Sequence, residues 1–176
     1  MADWFITSET RDWVIATCFQ YSYDGWLVAL SLAVAVFASY TSLHLVARMV
    51  AAGRSPTGYG WLATGAVTMG AGIWSMHFIA MLAVRLPAVV RYDLTLTALS
   101  MVFAIAASAY AFYFVGRGQR TPTQLAGGGV VLGAGIGAMH YTGMAVVRAD
   151  ATVIYDPALF AVSIVVAVVL STGALR

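Results

Sequence analysis

Residues 70–85 read GAGIWSMHFIAMLAVR and residues 133–148 read GAGIGAMHYTGMAVVR. The two stretches align without a gap at an offset of 63 residues, and each carries the hexapeptide Met-His-x-x-x-Met: MHFIAM at 76–81 and MHYTGM at 139–144. The chain has only three histidines, so two at one position of a repeat call for a reason beyond chance. A second matching set precedes them: YDGWLVALS at 23–31, YDLTLTALS at 92–100 and YDPALFAVS at 155–163. Asp93 and Asp156 keep the offset of 63. The repeating unit is therefore a helical hairpin, with the Tyr-Asp start on its first helix and the histidine on its second.

The composition says where such hairpins live. Of 176 residues, 61% are apolar and 9% charged, far from the roughly 45–50% and about 25% of soluble domains. The reading is an all-α integral membrane protein. All nine basic residues are arginine and the net charge is +2, too small and dispersed for a nucleic-acid surface. The single Cys18 leaves no intrachain disulfide. The first twenty residues hold Asp3, Glu9, Arg11 and Asp12 among apolar ones, which does not fit a cleaved signal. Residues 1–22 are read as an outer, interfacial segment, with a short helix expected over Trp4 to Phe19.

Crossing a hydrocarbon core of roughly 30 Å takes about 20 apolar residues. Five stretches qualify, near 26–47, 60–84, 94–115, 124–147 and 157–175. Between them lie the turn-forming segments GRSPTG at 53–58, RLPAVVRYD at 85–93, GRGQRTP at 116–122 and RADATVIYDP at 148–157. With the N-terminus outside, every acid falls on the outer side with Arg11, Arg85, Arg91 and Arg148. The inner side then holds Arg48, Arg54, Arg117, Arg120 and Arg176 and no acid. Short arginine-bearing loops favour the inside, which sets this orientation.

On a helix, residues four apart share a face, so His77 stacks with Met81 and His140 with Met144. Met76 and Met139 lie about 100° round and reach the same space from the side. Both histidines are expected seven to eight residues before the outer helix ends, roughly 11 Å deep at 1.5 Å per residue. Gly129, Gly133 and Gly137, with Ala66 and Gly70, form the small-residue rows that let membrane helices approach closely. Imidazole with thioether is a donor set for copper, whereas zinc prefers added thiolate or carboxylate and hard cations prefer oxygen. Ionisable groups inside a span are functional by default. His44, near the inner end of the first helix, is read as a packing or interfacial residue. Asp24, Asp93 and Asp156 are read as helix N-caps. Trp26 and Trp61, with Tyr23, Tyr59, Tyr92 and Tyr155, are read as interfacial anchors. Trp74, one turn from His77, either walls the site or packs.

At WSMHFIAMLAVRLP, GAMHYTGMA and the recurring Tyr-Asp starts, residues 23 to 175 closely resemble the MHYT family of bacterial integral-membrane sensor domains. The resemblance implies a sensor domain over 23–176, in the bacterial inner membrane with its N-terminus outside. It implies a seven-helix parent fold, of which five helices and an incomplete third repeat are expected in this chain. It also implies copper held by Met76, His77, Met81, Met139, His140 and Met144, and a diatomic gas (O2, CO or NO) as the input. The implied partners are the lipid bilayer and a cytoplasmic output domain, commonly a diguanylate cyclase or cyclic-di-GMP phosphodiesterase, and a homodimer is compatible. No catalytic domain and no nucleic-acid partner are expected. Two other functions use the same residues. Paired histidines, or His with Met, also ligate haem in electron-transfer subunits, and a copper store or transporter is the third reading.

Overall fold

The computed structural model describes residues 22–85, 91–118, 121–148 and 155–175. The short helix expected over 4–19 lies outside the described residues. Among the described residues five helices follow one another: α1 Gly25–Ala52, α2 Pro56–Leu82, α3 Leu94–Val115, α4 Pro122–Ala145 and α5 Pro157–Ala174. Four two-residue strands accompany them: β1 Ser22–Tyr23, β2 Val84–Arg85, β3 Arg91–Tyr92 and β4 Val147–Arg148. α1, α2, α3 and α5 are each long and apolar enough to cross a membrane. α4 has 24 uncharged residues, seven of them glycine, which lower its hydropathy. It packs between α3 and α5 as one member of the same bundle.

Every helix starts where its sequence supplies a cap. At one end of the bundle Asp24, Asp93 and Asp156 each accept backbone N–H bonds from the residues two and three further on, with N···O distances of 2.8 to 3.4 Å. Each such cap is worth about 0.5–2 kcal/mol against alanine. At the other end Ser55-Pro56 and Thr121-Pro122 place an oxygen acceptor before a proline that lacks the donor anyway. Thr121 and Gln124 complete a capping box. α1 terminates at Gly53, whose φ of 59° is a left-handed conformation open to glycine.

The expectation that α2 and α4 run to residues 84 and 147 is corrected. Both end two residues earlier because the chain turns extended to pair with a Tyr-Asp start. β1 pairs antiparallel with β2, Tyr23 opposite Val84, and β3 pairs with β4, Tyr92 opposite Val147. The Asp24 amide donates to the Ala83 carbonyl (2.8 Å), and the Asp93 amide donates to that of Val146 (3.1 Å). Ala83 and Val146 are fully buried beneath these clasps.

Sequence neighbours pack side by side from α1 to α5, and α2 and α4 also touch over a short stretch. The seams are made of small residues. A Cβ built on Gly70 falls 2.5 Å from Cα of Ile105 on α3, and one on Gly133 falls 2.9 Å from Cα of Val168 on α5. A Cβ on Gly72 meets Ala38 of α1 at 2.2 Å, and one on Gly135 meets Ala107 of α3 at 2.8 Å. Residues two apart on a helix point about 200° apart, so each Gly-x-Gly receives one neighbour on either side. Large apolar side chains face outward instead, among them Phe37, Leu43, Val169 and Leu170, as a helix in hydrocarbon requires.

Candidate functional site

The shortened helices move both histidines nearer the clasped end than expected. Each lies five residues before its helix ends, at Leu82 or Ala145, or about 7–8 Å at 1.5 Å per residue. The two remain at equal depth, and the short α2–α4 contact brings them together. The imidazole centroids of His77 and His140 are 5.1 Å apart with their planes at 69°.

The two copies of the motif do not share an environment. His77 is buried at 9% exposure, and its Nε2 has no hydrogen-bond partner among the described residues. His140 is exposed. The space for His77 is provided by Gly143 on α4, where an added Cβ would lie 2.6 Å from Nε2. The equivalent position in the first motif is Ala80. Met139 is buried at 3% exposure, while Met76, Met81 and Met144 are half-buried. Among the described residues no three His, Cys, Asp or Glu side chains converge, so any ion held here would depend on thioethers besides the two imidazoles.

Aromatic residues flank the pair. Phe78 meets His77 edge-on at 5.5 Å, and Tyr141 meets His140 edge-on at 5.0 Å. Trp74 stacks on Phe78, and its Nε1–H donates to the Thr97 carbonyl (3.2 Å) and Ser100 Oγ (3.1 Å), tying α2 to α3. Tyr141 lies 2.6 Å from Ser163 Oγ. Because Ser163 already donates to the Phe160 carbonyl, Tyr141 is the donor, and α4 is tied to α5. Ser100 and Ser163 are the closing serines of two Tyr-Asp starts. Their recurrence was visible in the sequence, although the inter-helix bond they accept was not. His44 stands apart from the site, exposed and edge-on to Tyr40 at 4.5 Å.

Outside the spans, Arg85 bonds the Asp24 carboxylate across the first clasp. This bond, with the Leu27 amide, holds the Asp24 carboxyl below its ordinary range. Burial raises the Tyr92 and Tyr155 phenols above theirs.

The sequence profile described as "MHYT: Bacterial signalling protein N terminal repeat" matches residues 70–128 and 133–176. The chain belongs to the MHYT family. The two matched segments of this MHYT domain begin at Gly70 and Gly133, again 63 residues apart. It is 46% identical over 154 residues to the bifunctional diguanylate cyclase/cyclic di-GMP phosphodiesterase MucR of Pseudomonas aeruginosa, covering 88% of this chain and 22% of that protein. It is 42% identical over 163 residues to the cyclic di-GMP phosphodiesterase NbdA of the same organism, covering 92% and 20%. It is 38% identical over 155 residues to the signalling protein YkoW of Bacillus subtilis, covering 88% and 19%. The chain thus spans about a fifth of the length of the curated relatives it matches. No solved structure matches it. With its apolar helices, the chain is a multi-pass MHYT membrane domain of a kind found in signalling proteins, two of them named for cyclic di-GMP.

Proposed function

We propose that this MHYT domain is a membrane sensor in which His77 and His140 jointly hold one copper ion, with thioether ligands drawn from Met81, Met144, Met76 and Met139. Its proposed input is a diatomic gas (O2, CO or NO) and its reader a cytoplasmic cyclic-di-GMP output domain. The observation that carries this reading is the pair of abutting imidazoles, one of them with a buried nitrogen that has no hydrogen-bond partner among the described residues. A buried nitrogen without a partner costs about 1–3 kcal/mol, a cost that a ligation role would offset. Two imidazoles on one ion, at metal–nitrogen bonds of about 2.0–2.1 Å, stand with ring centres about 5 Å apart when bent toward the tetrahedral angle. The observed 5.1 Å fits. Thioether beside imidazole suits copper rather than zinc or a hard cation. Haem is disfavoured, because α2 and α4 touch where the histidines meet and leave no gap between them for a macrocycle.

Bound copper would supply an open coordination position for the gas. The protein's own residues account for the rest. Gly143 admits the His77 ring, the Trp74–Ser100 bond links α2 to α3, and the Tyr141–Ser163 bond links α4 to α5. A displacement of either imidazole is thereby passed to the adjoining helices. α2 and α4 both begin at the arginine-bearing end, where a reader would attach.

The test is metal analysis and an optical spectrum of the purified protein and of His77→Ala and His140→Ala. The expected result is about one copper per chain without an intense Soret band, and at least a tenfold loss of affinity in each variant, about 1.4 kcal/mol. Full occupancy with unchanged affinity in either single variant would show joint ligation to be wrong.

Orientation follows the arginines, with the N-terminus outside the bacterial inner membrane. In a Cys18→Ser background, cysteine at Thr57 is expected to resist a membrane-impermeant reagent in intact cells, and cysteine at Arg91 to react. The reverse pattern would put the histidine end inside.

A further inference from the structure

We infer that the arginine-bearing end of the bundle is a binding site for the phosphate of an anionic phospholipid, seated between the α1–α2 turn and the end of α3. A cavity of about 80 Å³ opens there, lined by Met49, Gly53, Arg54, Tyr59, Tyr113 and Arg117. At about 10–15 Å³ for one water-sized group, it admits a phosphate-sized head. Its two cations come from different parts of the chain, Arg54 from the turn after α1 and Arg117 from the turn after α3. The Arg117 guanidinium lies over the Tyr113 ring at 4.7 Å. Beside the cavity, Arg48 lies over Trp61 at 5.0 Å.

Among the described residues these charges have no carboxylate counter-ion. The chain holds no Asp or Glu between Gly25 and Tyr92 or between Leu94 and Ala149. Asp24 and Asp93 cap helices at the opposite end, a helix length of about 33–42 Å away at 1.5 Å per residue. An anion is therefore the complement of the site, and a guanidinium presents its planar fork to phosphate oxygens. A zwitterionic headgroup would bring an ammonium against two arginines with no carboxylate to receive it. The aromatic residues fix the depth. Tyr59, Trp61 and Tyr113 sit at the level where interfacial side chains meet headgroups, and exposed Val50 and Val115 leave apolar flanks for acyl chains. Basic pockets between membrane helices take phosphate headgroups on these grounds. The inference is independent of what the histidines bind.

Native mass spectrometry would be run on the full chain released from nanodiscs of equal phosphatidylglycerol and phosphatidylcholine. Wild type is expected to retain one phosphatidylglycerol, and Arg54→Gln/Arg117→Gln to retain at least tenfold less. Arg91→Gln, at the clasped end, should match wild type. Equal retention by the double variant, equal retention of phosphatidylcholine, or displacement of the lipid by millimolar inorganic phosphate would each overturn the assignment. If the double variant does not fold, Arg117→Lys keeps the charge and loses the fork, and is expected to weaken retention about threefold. An unchanged value there would count equally against the site.

Discussion

Gly143→Ala is expected to expel His77 from its place and, with it, any ion the histidine pair holds. The added Cβ would lie 2.6 Å from Nε2 and 2.9 Å from Cδ2 of His77, closer than carbon tolerates. The ring has little room to yield, since it is buried and flanked by Phe78 and His140. Overpacking of this kind costs about 1–3 kcal/mol, and a comparable loss of ligand energy is about a tenfold to hundredfold loss of affinity. Ala80→Gly, at the same position of the first motif, removes a methyl group without displacing the ring and serves as the control. Thermal unfolding and copper affinity by competition would be measured for both. An unchanged melting temperature together with unchanged affinity in Gly143→Ala would mean that the glycine is incidental to the site.

A larger loss is expected from Gly70→Leu, because the obstruction is backbone. The Cβ alone comes within 2.5 Å of Cα and 2.7 Å of N of Ile105, atoms that cannot rotate aside, so α2 and α3 must separate. Helices in a bilayer associate by close packing rather than by expulsion of water, so separation removes the contacts that hold the seam. Gly70→Ala is expected to cost about 1–3 kcal/mol and Gly70→Leu more. Gly133→Leu should act alike at the α4–α5 seam, where Val168 stands 63 residues from Ile105 and presents the same backbone atoms. Gly60→Leu, with open space around its Cβ, should leave stability unchanged within about 0.5 kcal/mol. Denaturant-resistant helicity and thermal unfolding in detergent would rank the four. If Gly70→Leu unfolded no earlier than Gly60→Leu, the glycine seams would not be what holds these helices together.

How far the fold could be read in advance depended on the kind of signal. Apolar runs and caps are local, and Asp24, Asp93, Ser55-Pro56 and Thr121-Pro122 mark helix starts by chemistry carried within four residues. The clasps escaped because a two-residue strand has no periodicity, and its partner lies about 60 residues away. α1 runs on to Ala52 rather than stopping near residue 47, since Arg48 folds onto Trp61 and the chain turns only at Gly53. At the site, equal depth was legible from the repeat offset. The difference between a buried His77 and an exposed His140 was not, because two like motifs differ only in what the neighbouring helix presents to them. Ser100 and Ser163 were hidden for another reason. A helical serine ordinarily bonds its own preceding turn, and both do, at 2.8 and 2.7 Å, while also accepting Trp74 and Tyr141.

The clasps make each hairpin a closed circuit. From Tyr23 the chain runs through α1 and α2 and returns at Val84 to hydrogen-bond its own beginning, and from Tyr92 it does the same through α3 and α4 to Val147. A circuit fastened at both ends resists sliding of its two rods past each other, and the two circuits meet along the glycine seam of α2 and α3, where Trp74 bonds Ser100. His77 belongs to the first circuit and His140 to the second. An ion held jointly by the two rings, as proposed, would join these two frames, and a shift there would be carried along the length of a helix to the far turns.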